Sequence, residues 1–248
     1  MIRWLIGYAA IKALAAAGVP VTVLSAAFAA PANPVFGGGR YGSPAAVVKS
    51  IQQARADAAD GAFTRVRYVV VDVERWPATP VWQQHHVMRT YRRIAAMAAP
   101  FRTRLIAAPA MDLAGTWHRY LARHLARTAR YTWGLDIQAQ SQECHPRAYQ
   151  RWVRRAAAQA RAVNPDVVVF RGLTTDARVA RNAGQCQPWL PPARRHVTGR
   201  VLLRDLRHTS QHGTGAWLNI PRRGTACPNC QPAYPLPAIW LLRHLYGT

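Results

Sequence analysis

With 248 residues, 50% of them hydrophobic, the chain can bury a sizeable core and suits one large α/β domain better than two small ones. Its 33 basic residues stand against 10 acidic ones, a formal net charge of +23, and Lys12 and Lys49 are the only lysines. So basic a surface attracts polyanions non-specifically, but no basic stripe interleaved with aromatics and no zinc-finger spacing marks a specific nucleic-acid module.

In chain order, Arg3 and Lys12 supply positive charge, 13–24 is apolar and uncharged, and Ala27-Phe28-Ala29 sets small residues where a signal peptidase reads. Residues 1–29 are therefore expected to be a signal peptide, leaving 30–248 as a single domain in a secreted, periplasmic or cell-surface protein. The alternative is a first barrel strand over 19–28 preceded by a helix. The apolar segment is too interrupted for a stable membrane span. Cys144, Cys186, Cys227 and Cys230, even in number and all beyond the cleavage position, are expected to form disulfides. A second CxxC to complete a zinc site with Cys227 and Cys230 is missing.

A strand over 35–42 runs into Gly37-Gly38-Gly39, which lacks the spacing of a phosphate-binding loop. Ser43-Pro44 reads as an N-cap with proline at the first helical position, opening a helix to about Ala59. The β-branched run Tyr68-Val69-Val70-Val71 is the mark of a strand buried on both faces. It runs on into Asp72-Val73-Glu74-Arg75-Trp76, where alternation puts Asp72 and Glu74 on one face. Further helices are predicted over 79–98, 115–130, 146–163, 197–208 and 236–245. Further strands are predicted over 104–108, 132–140, 166–170 and 215–221. The stretch 177–195 carries no assignable strand.

Strand and helix alternate from end to end, which argues a parallel sheet with right-handed crossovers. Polar and apolar residues alternate towards the carboxyl ends of several strands, as at a barrel mouth. The expected fold is therefore α/β, a (β/α) TIM-like barrel of eight strands or fewer. Of the ten acids, Asp72, Glu74, Asp112, Asp136 and Glu143 fall at or just beyond predicted strand ends. With Gln138, Gln140, Arg171, Asn219, Trp76 and Trp217 they compose a site suited to sugar hydroxyls and to the apolar faces of pyranose rings. The expected catalytic set is Glu74 as acid with Asp72 or Asp136 as partner; Trp76, Asp112, Gln138, Gln140, Arg171, Trp217 and Asn219 are expected to bind substrate. No histidine lies at a predicted strand end, so neither metal nor cofactor is expected.

The set Asp72-x-Glu74-x-Trp76 with Thr79-Pro80, Asp136-x-Gln138-x-Gln140, 172–175 and Trp217-Leu218-Asn219-Ile220-Pro221 resembles an uncharacterised family of secreted bacterial (β/α)-barrel proteins. More distantly, Asp-x-Glu at a strand end with a tryptophan on the last strand is similar to the chitinase-like glycoside hydrolases. That resemblance implies Glu74 as general acid and Asp72 as the group that orients the substrate's acetamido substituent. The longer acidic series that precedes the motif in those enzymes is replaced here by 69–71. The function expected is a secreted glycoside hydrolase-like barrel acting on a carbohydrate or cell-envelope glycan. The alternatives are a non-catalytic carbohydrate- or polyanion-binding barrel and a non-hydrolytic lyase or cyclase.

Overall fold

The structure, a computed structural model, describes residues 2–19, 28–30, 43–110, 113, 127–143, 145–175, 197–213, 215–220 and 235–247. Among these, eight strands pair in parallel and in sequence order to close a barrel. They are β1 (Arg3–Gly7), β2 (Phe28–Ala30), β3 (Ser43–Val48), β4 (Tyr68–Val71), β5 (Arg104–Ala107), β6 (Gly134–Ile137), β7 (Val168–Thr174) and β8 (Gly215–Asn219). Parallel neighbours require crossovers, and the described ones carry α1 (Tyr8–Ala16), α2 (Ile51–Ala59), α3 (Val81–His85), α4 (Val87–Ala98), α5 (Pro146–Val163) and α6 (Gly199–His208), with α7 (Leu236–Tyr246) closing the chain. The expected (β/α) barrel is thus observed.

Alternation along the strands sorts their side chains into two cores. Val69, Val71, Leu135, Val169 and Leu173 face outward into the layer shared with the helices, whereas Leu5, Ala45, Tyr68, Val70, Ile106, Ala108 and Phe170 fill the barrel interior. Two glycines make that filling possible. A Cβ on Gly134 or Gly215 would lie 2.9 or 2.5 Å from the Phe170 ring, so the large side chain on β7 is matched by none on either neighbour. Tyr68, Trp133 and Phe170 form a chain of ring contacts, centroids 5.2 and 6.2 Å apart, and Arg3 and Arg104 set their guanidiniums over Trp133.

The helices follow the same economy. On α5 the buried residues Tyr149, Trp152, Val153, Ala156, Ala157 and Ala160 recur at helical spacing and make one stripe against the wall. Two tyrosine hydroxyls tie helices to strand ends: Tyr91 donates to Val71 O at 2.7 Å and Tyr149 to Gly172 O at 3.0 Å.

Three segments differ from expectation. Ser43 and Pro44 open β3 rather than a helix, because the β-branched pair Val47-Val48 continues the ladder beside β4. The N-cap lies further on, where the Ser50 hydroxyl accepts from Gln53 N and starts α2. The helix expected over 79–98 is two, α3 and α4, since His86 at φ −118°, ψ 48° leaves the helical region between them. The strand expected over 35–42, most of the helix expected over 115–130 and all four cysteines lie outside the described residues.

The segment expected to be a signal peptide forms part of the barrel here. β1 closes the ring, with Trp4 opposite Ala216 on β8 and Leu5 opposite Phe28 on β2. Of the alternative reading, the helix is present as α1, with a strand before it; 20–27 lie outside the described residues. Trp4, Leu5, Ile6, Ile11 and Leu14 are all fully or nearly fully buried. At ~1.5–3 kcal/mol for each large apolar side chain, these five contribute roughly 7–15 kcal/mol, as much as the ~5–15 kcal/mol net stability of a typical domain. A chain beginning at residue 30 should therefore lose cooperative thermal unfolding and bind a hydrophobic dye, as followed by circular dichroism and fluorescence. Wild-type melting of that truncation would show that the barrel does not need its first strand.

Candidate active site at the barrel mouth

The inner row of β4 runs Tyr68, Val70, and then, beyond the strand's last residue, Asp72 and Glu74. The ladder persists past the strand ends: Asp72 N donates to Val48 O and Ala108 N to Val71 O, both at 2.8 Å. Val71 lies opposite Ala107, and Ala107 opposite Leu135. The next step of the register therefore sets Asp72, Ala108 and Asp136 in one inner row, two carboxyls with only a methyl between them. Alternation thus places both expected acids of the row inside the barrel, at the carboxyl ends of β4 and β6.

Their surroundings differ from ordinary aspartates. Asp72 is 7% exposed and Asp136 1%. Gln138 Nε2 donates to Asp72 Oδ1 at 3.1 Å and to Ala108 O at 2.8 Å, so this amide is fixed across β4 and β5. Neither oxygen of Asp136 has a hydrogen-bond partner among the described residues. Burial and then the charge of Glu74 push the Asp136 carboxyl well above the usual aspartate range. For Asp72, burial and the Glu74 charge raise the carboxyl too, against the weaker opposing pull of Lys49; Asp136 adds to the rise and the Gln138 hydrogen bond to the pull. Both shifts favour the protonated carboxyls, beside a partly exposed Glu74.

A second group converges on the same mouth, and its organiser is the Thr79 hydroxyl. It accepts from Trp76 Nε1 at 2.9 Å and from Glu74 N at 3.5 Å, and donates to Lys49 O at 2.7 Å. Lys49 follows β3 one step beyond Val48, which pairs with Val71, so its place in the register is beside Asp72. Its ammonium stands 4.2 Å over the Trp76 ring. Trp76, expected as a sugar platform, thus has lysine against one face. Neither Lys49 nor Thr79 was among the expected site residues. The signal for Lys49 was present: a lysine in a chain whose basic residues are almost all arginine, two residues beyond an inward valine.

The remaining expected residues divide. Gln140 is buried over Gly172, where a Cβ would come within 2.6 Å of its Cδ. Trp217 and Asn219 are half-buried on β8, Trp217 packing against the inner apolar cluster. Asp112 lies outside the described residues. Arg171 does not join the site. Leu173, two residues on, packs in the outer core, so Arg171 shares its face and points out of the barrel, towards α6. There it donates from Nε to Gly215 O, and from Nη1 to Leu206 O and the Thr209 hydroxyl. Glu143, expected to add charge to the pocket, also lies elsewhere. Fully buried, it accepts from Thr174 N, and it is coupled to the Asp205 of α6, whose carboxyl is raised to about 7 by burial.

Among the described residues no group of three or more His, Cys, Asp or Glu is arranged to hold a metal ion, and no helix is long and apolar enough to cross a membrane. No protein-family model matches the chain, and no curated protein matches it in sequence. Among solved structures it is similar to a GH10 xylanase from Thermobacillus composti (12% identity, TM-score 0.37, covering 69% of this chain and 65% of that one). It is similar also to a GH5_18 protein from Streptomyces cattleya in complex with Manb1-4GlcNAc (12% identity, TM-score 0.36, 79% and 76%). A third is the 3-dehydroquinate dehydratase from Aquifex aeolicus (10% identity, TM-score 0.32, 82% and 98%). The chain thus spans just under two thirds of the length of the xylanase, and at these values the likeness bears on neither activity nor substrate. The resemblance to a family of secreted bacterial barrels has no counterpart among these matches.

Two outcomes follow from the placement of charge. Because folding raises the Asp136 carboxyl above its ordinary 3.8, the unfolded chain ionises first as pH rises. The associated stability is complete below that value and is lost progressively above it, up to the folded pKa. Asp136→Asn cannot ionise, so its melting temperature should climb relative to wild type between pH 4 and pH 8, by roughly 3–5 °C for each tenfold tightening of the proton. A pH-independent difference in calorimetry would refute this. Arg171→Met leaves buried acceptors unpaired and should cost about 2–4 kcal/mol in denaturant unfolding, which a ligand-binding arginine at a mouth would not.

Proposed function

We infer that the barrel mouth performs acid–base hydrolysis of a glycosidic bond, with the Asp72–Asp136 row as the source of the proton and Glu74 as the ionised partner. The observation that carries this is the Asp136 carboxyl, buried with both oxygens unpartnered beside Asp72 and Glu74. A leaving oxygen must be protonated as its bond breaks, and an ordinary aspartate holds no proton at neutral pH. Burial beside a second carboxylate is how proteins keep one. Two carboxyl roles of opposite protonation in one site are the requirement of glycoside hydrolysis. The roles are thereby exchanged relative to the expectation from sequence, in which Glu74 was the acid. The half-buried Gln138, Trp217 and Asn219 offer amide groups and one aromatic surface of the kind that suits hydroxyls and a sugar ring.

The test is a panel of oligosaccharides and cell-envelope fragments presented to the full chain, scored for new reducing ends and for binding. Glu74→Gln and Asp136→Asn should each lower turnover by ~10²–10⁴-fold while binding persists. The rate of the wild type should fall at high pH, as the row loses its proton. Turnover indifferent to both substitutions would remove the row from the chemistry. Binding without product in wild type would make the protein a carbohydrate-binding barrel instead.

A further inference from the structure

Lys49 is mounted at the mouth more rigidly than a solvated lysine would be. Its backbone is held on both sides: Lys49 N donates to Gln53 Oε1 at 2.9 Å, and Lys49 O accepts from the Thr79 hydroxyl at 2.7 Å. Gln53 is itself fixed, donating from Nε2 to Val47 O, and the next residue, Ser50, caps α2. The Trp76 indole beneath the ammonium is held by its own bond to Thr79. The α2 end is tied to α3 as well, since Ile51 N donates to Gln83 Oε1 and Gln83 Nε2 donates to Gln52 Oε1. A cation held on an aromatic face has given up part of its hydration and of its rotamer freedom before any ligand arrives.

The charge around it has a definite sign. Asp72, the carboxyl beside it in the register, is driven towards its neutral form by burial and by Glu74 against the pull of Lys49, which lessens its pairing with the ammonium. From Arg75 to Ala110 the chain contains no acid at all, so the loop after β4 and the α3–α4 unit beside the mouth are basic throughout. Such a rim concentrates anionic ligands at the opening.

We propose that Lys49, mounted on Trp76, is the subsite for an acidic sugar, taking the carboxylate or sulfate of a glycan whose glycosidic bond lies at Glu74, Asp72 and Asp136. This rests on the hydrolytic reading above and adds the substrate class to it. An ammonium is a compact point charge that a carboxylate or a sulfate ester can approach from any side, and neither needs the planar fork that arginine would supply.

The experiment uses short uronate oligosaccharides and short sulfated ones. Each is paired with its carboxyl-reduced or desulfated counterpart, and each is titrated calorimetrically into the full chain. The wild type should prefer the charged member, and one of the two arms should identify the anion. Lys49→Gln should weaken the charged ligand by about tenfold or more and leave the neutral one unchanged within roughly twofold. Lys49→Arg should restore most of the preference. Arg92→Gln, which removes one exposed charge from α4, should leave it intact and so separates the subsite from the general attraction of a +23 chain. Melting curves check that each variant folds. Equal loss for both ligands, no loss for either, loss in Arg92→Gln alone or no binding of any acidic ligand would overturn the assignment. Charge-selective binding through Lys49 without any product would sustain the subsite and sink the hydrolytic reading. Turnover of neutral glycans indifferent to Lys49 would do the reverse.

Discussion

The interior of a closed parallel barrel has room for few side chains, and in this one the last inner row is given to carboxyls. β4 and β6 each end with an aspartate turned inward, and Ala108 between them is small enough to let both face the same space. Below them Val70, Ile106 and Phe170 exclude water, and the two glycines beside Phe170 allow that ring to fill the barrel. The apolar floor is thus the cause of the raised proton affinity above it. A solvated mouth would favour two carboxylates, whereas burial next to the charge of Glu74 shifts both aspartates towards their protonated forms.

Order at the rim comes from hydrogen bonds rather than from packing. The Thr79 hydroxyl joins Lys49, Glu74 and Trp76, residues from two different strand ends; Gln83 bridges the same two loops, while Gln53 and Gln84 brace one loop each. A site whose charged groups sit on loops needs such ties, because loops by themselves leave a side chain many arrangements. The sequence Glu74-Arg75-Trp76-Pro77-Ala78-Thr79 is therefore one structural unit, with threonine as its centre.

Charge outside the barrel obeys a different logic. Arg171, Glu143 and Asp205 lie in the layer between the wall and the helices, where Arg171 binds two carbonyl groups and Arg204 pairs with Asp205 at 3.1 Å. Burial raises the proton affinity of both Glu143 and Asp205 there, and the charge of Asp205 raises that of Glu143 further. These groups join β7 to β8, to α6 and to the segment after β6, and none of them faces the mouth. A chain with ten acids spends two of them on this layer and at least three on the site.

The sequence by itself determined the fold class, because the alternation of apolar strands and amphipathic helices is a local property that each segment carries alone. It determined also that Asp72, Glu74 and Asp136 would point one way, since side-chain parity along a strand is a matter of counting. Parity can be counted at Arg171 too, but the interior face of β7 was decided by which neighbours made room for Phe170, and that is a fact about β6 and β8. The entry at Ser43-Pro44 was ambiguous locally, as the same pair opens helices and strands, and pairing with β4 settled it. The place of residues 3–16 depended on an open gap between β8 and β2, two elements nearly two hundred residues apart in the chain. The raised proton affinity of Asp136 and the seat of Lys49 were decided last. Both arise from groups brought together across strands, and electrostatics and solvation act through space, where neighbours in sequence give no measure of distance.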